Sequence, residues 1–145
     1  MTPAAAVASV WSDATGTLSS VATVGAGIDL VDLASFAELH AAGGQAFIDN
    51  AWTTAEQLES QGSAERLAAR WAAKEAVMKA MKCGIGDLDP LDIEILTDPN
   101  GAPRVQLRDS ALGAAAALGV SQWHVSLCHE AGWAVAIAVA ARSSI

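Results

Sequence analysis

Apolar and polar positions change rhythm several times along this chain, and each change predicts an element. From Val21 the run VATVGAGIDLVDL is apolar and β-prone, which predicts a buried strand. Its glycines, Gly25 and Gly27, predict a bulge or a close approach by another backbone. LASFAELHAA then takes up helical spacing, with Asp32 placed to cap it. Gly43 and Gly44 break that helix, and QAFIDNAW and TTAEQLESQ predict two more short ones. Thr53 followed by Glu56 fits a capping box, and Gly62 is a stop.

The strongest helical pattern is SAERLAARWAAKEAVMKAMKCG, starting at Ser63 and ending at Gly84. IGDLDPL reads as a loop, DIEILTD as a strand, Asn100-Gly101 as a tight turn and PRVQL as the return strand. RDSALGAAAALG predicts an Ala-rich helix. WHVSLCH and WAVAIAVAA predict two strands joined at Glu130-Ala131-Gly132. Helices and strands come in blocks, and the late strands can pair as hairpins. That favours an α+β fold, an antiparallel sheet packed against a long buried helix, over a parallel α/β sheet. Residues 1–20, rich in Ala, Ser and Thr, read as an N-terminal extension, a tail or a loose helix around Val7 to Trp11. Residues 21–145 then form one domain.

Composition adds constraints. Hydrophobic residues make up 52% of the 145 residues and charged ones 17%, enough apolar content for a real core. A net charge of −8 argues against nucleic acid as a partner. Yet five of the eight Lys and Arg residues (Arg66, Arg70, Lys74, Lys79, Lys82) fall between positions 66 and 82. Such an island holds an anion or pairs the chain's own carboxylates. Cys83 and Cys128 lack metal-ligand spacing and read as free thiols of a reducing compartment. The N-terminal segment lacks the charged start of a signal peptide, and no apolar run is long enough for a membrane helix, so a soluble, cytoplasmic protein with no membrane partner is expected.

Three features carry candidate chemistry. In the long helix, Ala69, Ala72, Ala73, Ala76 and Ala80 cover one side and Leu67, Trp71 and Met78 the other, so the helix is expected to be buried. Arg70, Lys74, Glu75 and Lys79 are nevertheless set in it, and charges are rarely buried unless paired or bound to something. A Glu75–Lys79 surface pair with two solvated cations is the alternative. Asp29 interrupts an apolar strand, where it needs a metal or a cation unless it faces water at an edge. His124 and Ser126, two apart in a strand, share a face that suits phosphate or ribose recognition, although a lone strand histidine is commonly structural.

In this order, GIDLVDL, WAAKEAVMKA, PNGAP and HVSLCH resemble the successive motifs of the holo-(acyl-carrier-protein) synthases, from about Val24 to Val139. The resemblance implies a 4′-phosphopantetheinyl transferase that moves the arm of coenzyme A onto a carrier-protein serine, releases adenosine 3′,5′-bisphosphate and supports fatty acid biosynthesis. It implies Asp29 and Glu75 as ligands of Mg²⁺, with Mn²⁺ as a substitute. For the chemistry of that transfer, Glu75 or a metal-bound water held by it is the candidate base, and Lys79 the candidate for steadying the leaving phosphate. Arg70, Lys74 and Lys79 would be basic groups of the coenzyme A site. Asn100, Gly101 and Pro103 would line the adenine and ribose region, with His124 and Ser126 near the phosphates. A homotrimer with coenzyme A in clefts between subunits is implied, as is an acyl carrier protein or carrier domain as partner.

Two motifs depart from the family pattern. SFAELHAA has no arginine for docking an acidic carrier, and FIDNAWT has Asn50 where arginine is usual. The catalytic half matches better than the docking half. A metal-dependent hydrolase of another nucleotide diphosphate would use the same carboxylate and lysine cluster; a non-catalytic coenzyme A-binding or structural trimer on the same fold is a third reading, against which the retention of Asp29, Glu75 and Lys79 together argues.

Overall fold

The computed structural model describes residues 21–143, so the reading of residues 1–20 lies outside the described part. The apolar run from Val21 forms one long strand, β1 (Val21–Asp32). Asp32 ends it and caps α1 (Leu33–Asp49), accepting hydrogen bonds from the backbone N–H groups of Ala34 and Ser35. Gly44 does not terminate this helix. It kinks it, at φ 61° and ψ −149°, a conformation open only to glycine, and the helix resumes to Asp49. Two expected short helices are thus one bent element. The capping box forms as expected at the start of α2 (Thr54–Ser60).

The long helix α3 (Ala64–Ala80) begins at its Ser63 cap and buries Leu67, Met78 and the whole alanine side. It ends four residues before Gly84. Lys82 takes a left-handed φ of 59°, and the N–H of Cys83 reaches back to the Met78 carbonyl, a glycine-type helix stop made without glycine. A 3₁₀ turn (Pro90–Asp92) leads into the hairpin β2 (Ile93–Thr97) and β3 (Pro103–Leu107). Helix α4 (Asp109–Leu118) follows, then β4 (Gln122–Glu130) and β5 (Trp133–Ser143). Ala131 and Gly132, both at positive φ, make the two-residue turn between the last strands.

The expected α+β architecture is present. β1, β5 and β4 form an antiparallel sheet in that order, with β5 central, and β2–β3 form a separate antiparallel pair. Ala136, Ala138 and Ala140 of β5 and Ala72, Ala73 and Ala76 of α3 are fully buried in one core cluster. Small side chains at this contact let the helix lie close on the sheet.

The closest approach is at β1. A Cβ on Gly25 would lie 2.0 Å from the Ala80 carbonyl oxygen, and one on Gly27 would lie 1.9 Å from that of Ala76. Both expectations for these glycines hold, since the β1–β5 register also shifts between Thr23 and Gly25. Gly27→Ala is expected to destabilise the protein by about 3 kcal/mol or more in urea unfolding, at or above the upper range of overpacking costs, because a helix carbonyl cannot move aside. Gly113→Ala, in α4 with open space around it, should be neutral or stabilising.

Candidate active site between β1 and α3

Glycine at position 27 places the next residue on the same face of β1, Asp29, against the same helix. Successive side chains alternate across a strand, so Gly25, Gly27 and Asp29 all look toward α3. The register agrees, because Asp29 lies opposite the buried Ala136. Asp29 therefore does not face water. On α3 it meets Lys79, which donates to its Oδ1 at 2.9 Å and to the Ile28 carbonyl at 3.0 Å. The lysine that helical spacing offered to Glu75 is held by Asp29 instead.

Glu75 lies beside this pair. Its carboxyl is pushed up from the ordinary 4.5 to about 7, first by burial and then by the charge of Asp29; Lys79 and a hydrogen bond from Trp71 oppose the shift. The site is thus short of positive charge. Two cavities border it: one of about 280 Å³ lined by Glu75, Met78, Lys79, Cys83, Gly84 and Ile85, the other of about 400 Å³ lined by Ile28, Asp29, Leu30, Lys79 and Val135.

These residues fit a hard divalent cation. Both donors are carboxylates, and the raised Glu75 marks a place where added positive charge is stabilised. Among the described residues no three His, Cys, Asp or Glu side chains cluster to make a full cage. Two protein carboxylates, with water or substrate oxygens completing the shell, is the arrangement Mg²⁺ favours.

Glu75 also sets a pH dependence. A carboxyl whose folded pKa exceeds its unfolded value stabilises the fold below about 4.5 and loses that contribution as pH rises through about 7. In EDTA, the melting temperature of the wild type relative to Glu75→Gln is expected to fall between pH 5 and 7.5. Adding Mg²⁺ should remove that fall, since the metal binds the ionised form. A wild-type-minus-variant difference that stays flat with pH would contradict the assignment.

The remaining expected site residues are spread out. Arg70 borders a cavity of about 530 Å³, with Glu59, Gln61, Arg66, Thr97 and His129 among its walls. Its guanidinium is held by Glu59 at 2.8 Å and by the Ile95 carbonyl at 3.2 Å. Asn100 and Gly101 are exposed at the tip of the β2–β3 hairpin, where Asn100 Oδ1 accepts from the Ala102 N–H; Pro103 opens β3. His124 and Ser126 share one face of β4, as expected, with Val125 and Leu127 turned to the core. That face is the outer one, opposite Val139 and Ile137, and so on the far side of the sheet from Asp29.

Lys74 requires a correction. Its side chain is fully buried and its ammonium donates to Glu56 at 2.7 Å, to the Pro90 carbonyl at 2.8 Å and to the Ile93 carbonyl at 2.5 Å. All three N–H donors are spent within the chain, so none is left for coenzyme A. Burial lowers its pKa, and the Glu56 charge pulls the other way. Glu56 in turn accepts from the backbone of Thr53 and Ile95, tying α2, α3 and β2 together.

The family model of the 4′-phosphopantetheinyl transferase superfamily matches residues 25–138. The chain belongs to that superfamily. Asp29, Glu75 and Lys79 all fall within the matched region. A holo-[acyl-carrier-protein] synthase of Beutenbergia cavernae is 44% identical over 119 residues, covering 82% of this chain and 98% of that one. That of Herpetosiphon aurantiacus is 37% identical over 120 residues, covering 78% and 94%. Among solved structures, the Helicobacter pylori synthase in complex with coenzyme A superposes with a TM-score of 0.73 at 28% identity, covering 79% of this chain and 98% of that one. The Plasmodium yoelii acyl carrier protein synthase with ADP bound gives 0.79 at 26%, covering 86% and 99%.

Two groups of this transferase were not singled out in the sequence. His129 closes the motif HVSLCH, and its inward phase with Leu127 could have been read from the strand period. Glu56 was read only as a cap; its second role as the counterion of Lys74 is a contact across 18 residues with no local signal.

Proposed function

We infer that this chain is a holo-[acyl-carrier-protein] synthase, transferring 4′-phosphopantetheine from coenzyme A to a serine of an apo acyl carrier protein. The observation that carries the reading is the meeting of Asp29, Glu75 and Lys79 across the β1–α3 contact, within a chain of this superfamily. The serine hydroxyl attacks the β-phosphate and adenosine 3′,5′-bisphosphate leaves. A divalent ion, Mg²⁺ or Mn²⁺, held by Asp29 and Glu75 would supply charge neutralisation at the diphosphate. Glu75, or a water that it holds beside the site, takes the serine proton. Lys79, which lines both cavities that border the carboxylates, steadies the leaving phosphate. The large cavity beside Arg70, with Arg66 and His129 in its walls, suits the anionic nucleotide end.

Assembly belongs to the same reading. The outer face of the sheet exposes Ile28 (62%), Leu30 (55%) and Ile137 (45%), an apolar patch next to His124 and Ser126. One protomer cannot present His124 and Asp29 to one ligand, because the sheet lies between them. A homotrimer that brings this face against a neighbour's β1–α3 edge joins them in a shared cleft. Ile137→Asp is expected to yield monomers by light scattering and to lose transfer with Asp29 and Glu75 intact. A fully active monomer would remove the shared cleft.

Residues 21–145 form the transferase domain of the proposal, acting in the cytoplasm in support of fatty acid synthesis; no described helix is long and apolar enough to cross a membrane. The carrier meets a surface without arginine on α1, where Leu39 is exposed. The decisive test is incubation with coenzyme A, Mg²⁺ and an apo carrier protein, followed by mass measurement of the carrier. The phosphopantetheine mass on serine is expected. Release of adenosine bisphosphate without a carrier would instead favour a hydrolase.

A further inference from the structure

Asp29 is engaged twice. Its Oδ1 accepts from Lys79 at 2.9 Å, and the reading above also makes it a metal ligand beside Glu75. An ammonium and a divalent ion on one small carboxylate repel each other, so each weakens the other's hold. The less firmly fixed of the two is the one to give way.

The structure says which. The Asp29 side chain is 10% exposed, on a strand pinned between β5 and α3, and cannot move far. The Lys79 side chain is 53% exposed on a flexible four-carbon stem. Lys79 also lines both cavities that border the carboxylates, so its ammonium has open space on either side. Exposed ion pairs are weakly held, so little opposes its departure.

We propose that Lys79 is an internal competitor for the metal: its ammonium occupies Asp29 until a divalent cation takes that carboxylate, and the displaced ammonium then turns to the phosphate of the substrate. The proposal rests on the reading of Asp29 and Glu75 as metal ligands. By linkage, a substrate phosphate that draws Lys79 away strengthens metal binding, and metal binding strengthens the hold on that phosphate to the same degree. Lys79 is thereby a positioning residue for the metal as well as a group that meets substrate.

The opposing account is that Lys79 orients Asp29 for the metal, and the two differ in sign. Mn²⁺ binding without nucleotide, followed by the magnetic resonance signal of the free ion, separates them. Lys79→Met and Lys79→Gln are expected to bind Mn²⁺ about twofold to fivefold tighter than the wild type, the factor that a weakly held, half-exposed ion pair withholds. Lys79→Arg, which keeps the charge, should stay near the wild type. Structural damage would weaken binding, so it cannot imitate the expected result. Unchanged or weaker binding in both neutral variants overturns the proposal. An Asp29→Ala variant that keeps wild-type Mn²⁺ affinity would instead overturn the ligand assignment beneath it.

Discussion

Asp29→Ala and Glu75→Ala are each expected to cut phosphopantetheine transfer by on the order of a hundredfold to a thousandfold, the scale for losing one preorganised electrostatic group. The loss should fall on kcat, because the charge these carboxylates position matters most when the phosphoryl oxygens carry developing charge. The fold should survive both changes. Removing Asp29 leaves the half-exposed Lys79 to water, not a stranded buried charge, so the stability cost is that of a weak ion pair. Removing Glu75 takes away a carboxylate that is penalised first by burial and then by the Asp29 charge, so without metal at pH 7.5 the variant should be no less stable than the wild type. Single-turnover assays over a Mg²⁺ series would check both, beside denaturant melts. Near wild-type transfer at low Mg²⁺ by either variant would remove that residue from the metal site.

The largest stability effect is expected at Lys74, one residue from Glu75 and on a different face of the helix. Lys74→Ala should cost about 3–5 kcal/mol, because Glu56 would be left as an unpaired buried charge. The carbonyls of Pro90 and Ile93 would lose their donor as well. Pairing Lys74→Met with Glu56→Gln should restore much of the loss, since the cost of breaking such a pair lies chiefly in the partner left behind. A cost below about 1 kcal/mol for the single variant would mean that Glu56 finds other compensation. The folded double variant also bears on the coenzyme A site. With all three donors committed inside the chain, its KM for coenzyme A should match the wild type, whereas a ligand-binding Lys74 would raise it.

Lys74 and Lys79 show where local sequence stops being informative. Both are lysines of one apolar helix, five positions apart, and each has a carboxylate at helical spacing or nearby in sequence. Their roles separate only because of what packs against each face. The Lys74 face receives α2 and the start of β2, with Glu56 and two carbonyls waiting in a dry pocket. The Lys79 face receives β1, with Asp29 beside open cavities. No spacing rule connects Asp29 with Lys79, because 50 residues separate them.

Period and turn chemistry alone determined most of the elements: the strand from Val21, the capped helix from Ser63, the box at Thr53 and Glu56, and the hairpin turn at Ala131-Gly132. These are short-range preferences, set by neighbours within a few residues. Asp29 was legible as an anomaly for the same reason, a charge in an apolar strand, and Gly27 as a place where something must come close. Tertiary structure decided what came close. It set β1 against α3 at the Ala76 carbonyl, gave Asp29 to Lys79 in place of Glu75, buried Lys74 and put His124 on the far face of the sheet. Those outcomes depend on how apolar faces from distant segments pack and on which charges they trap, and such energies have no signature within a window of sequence.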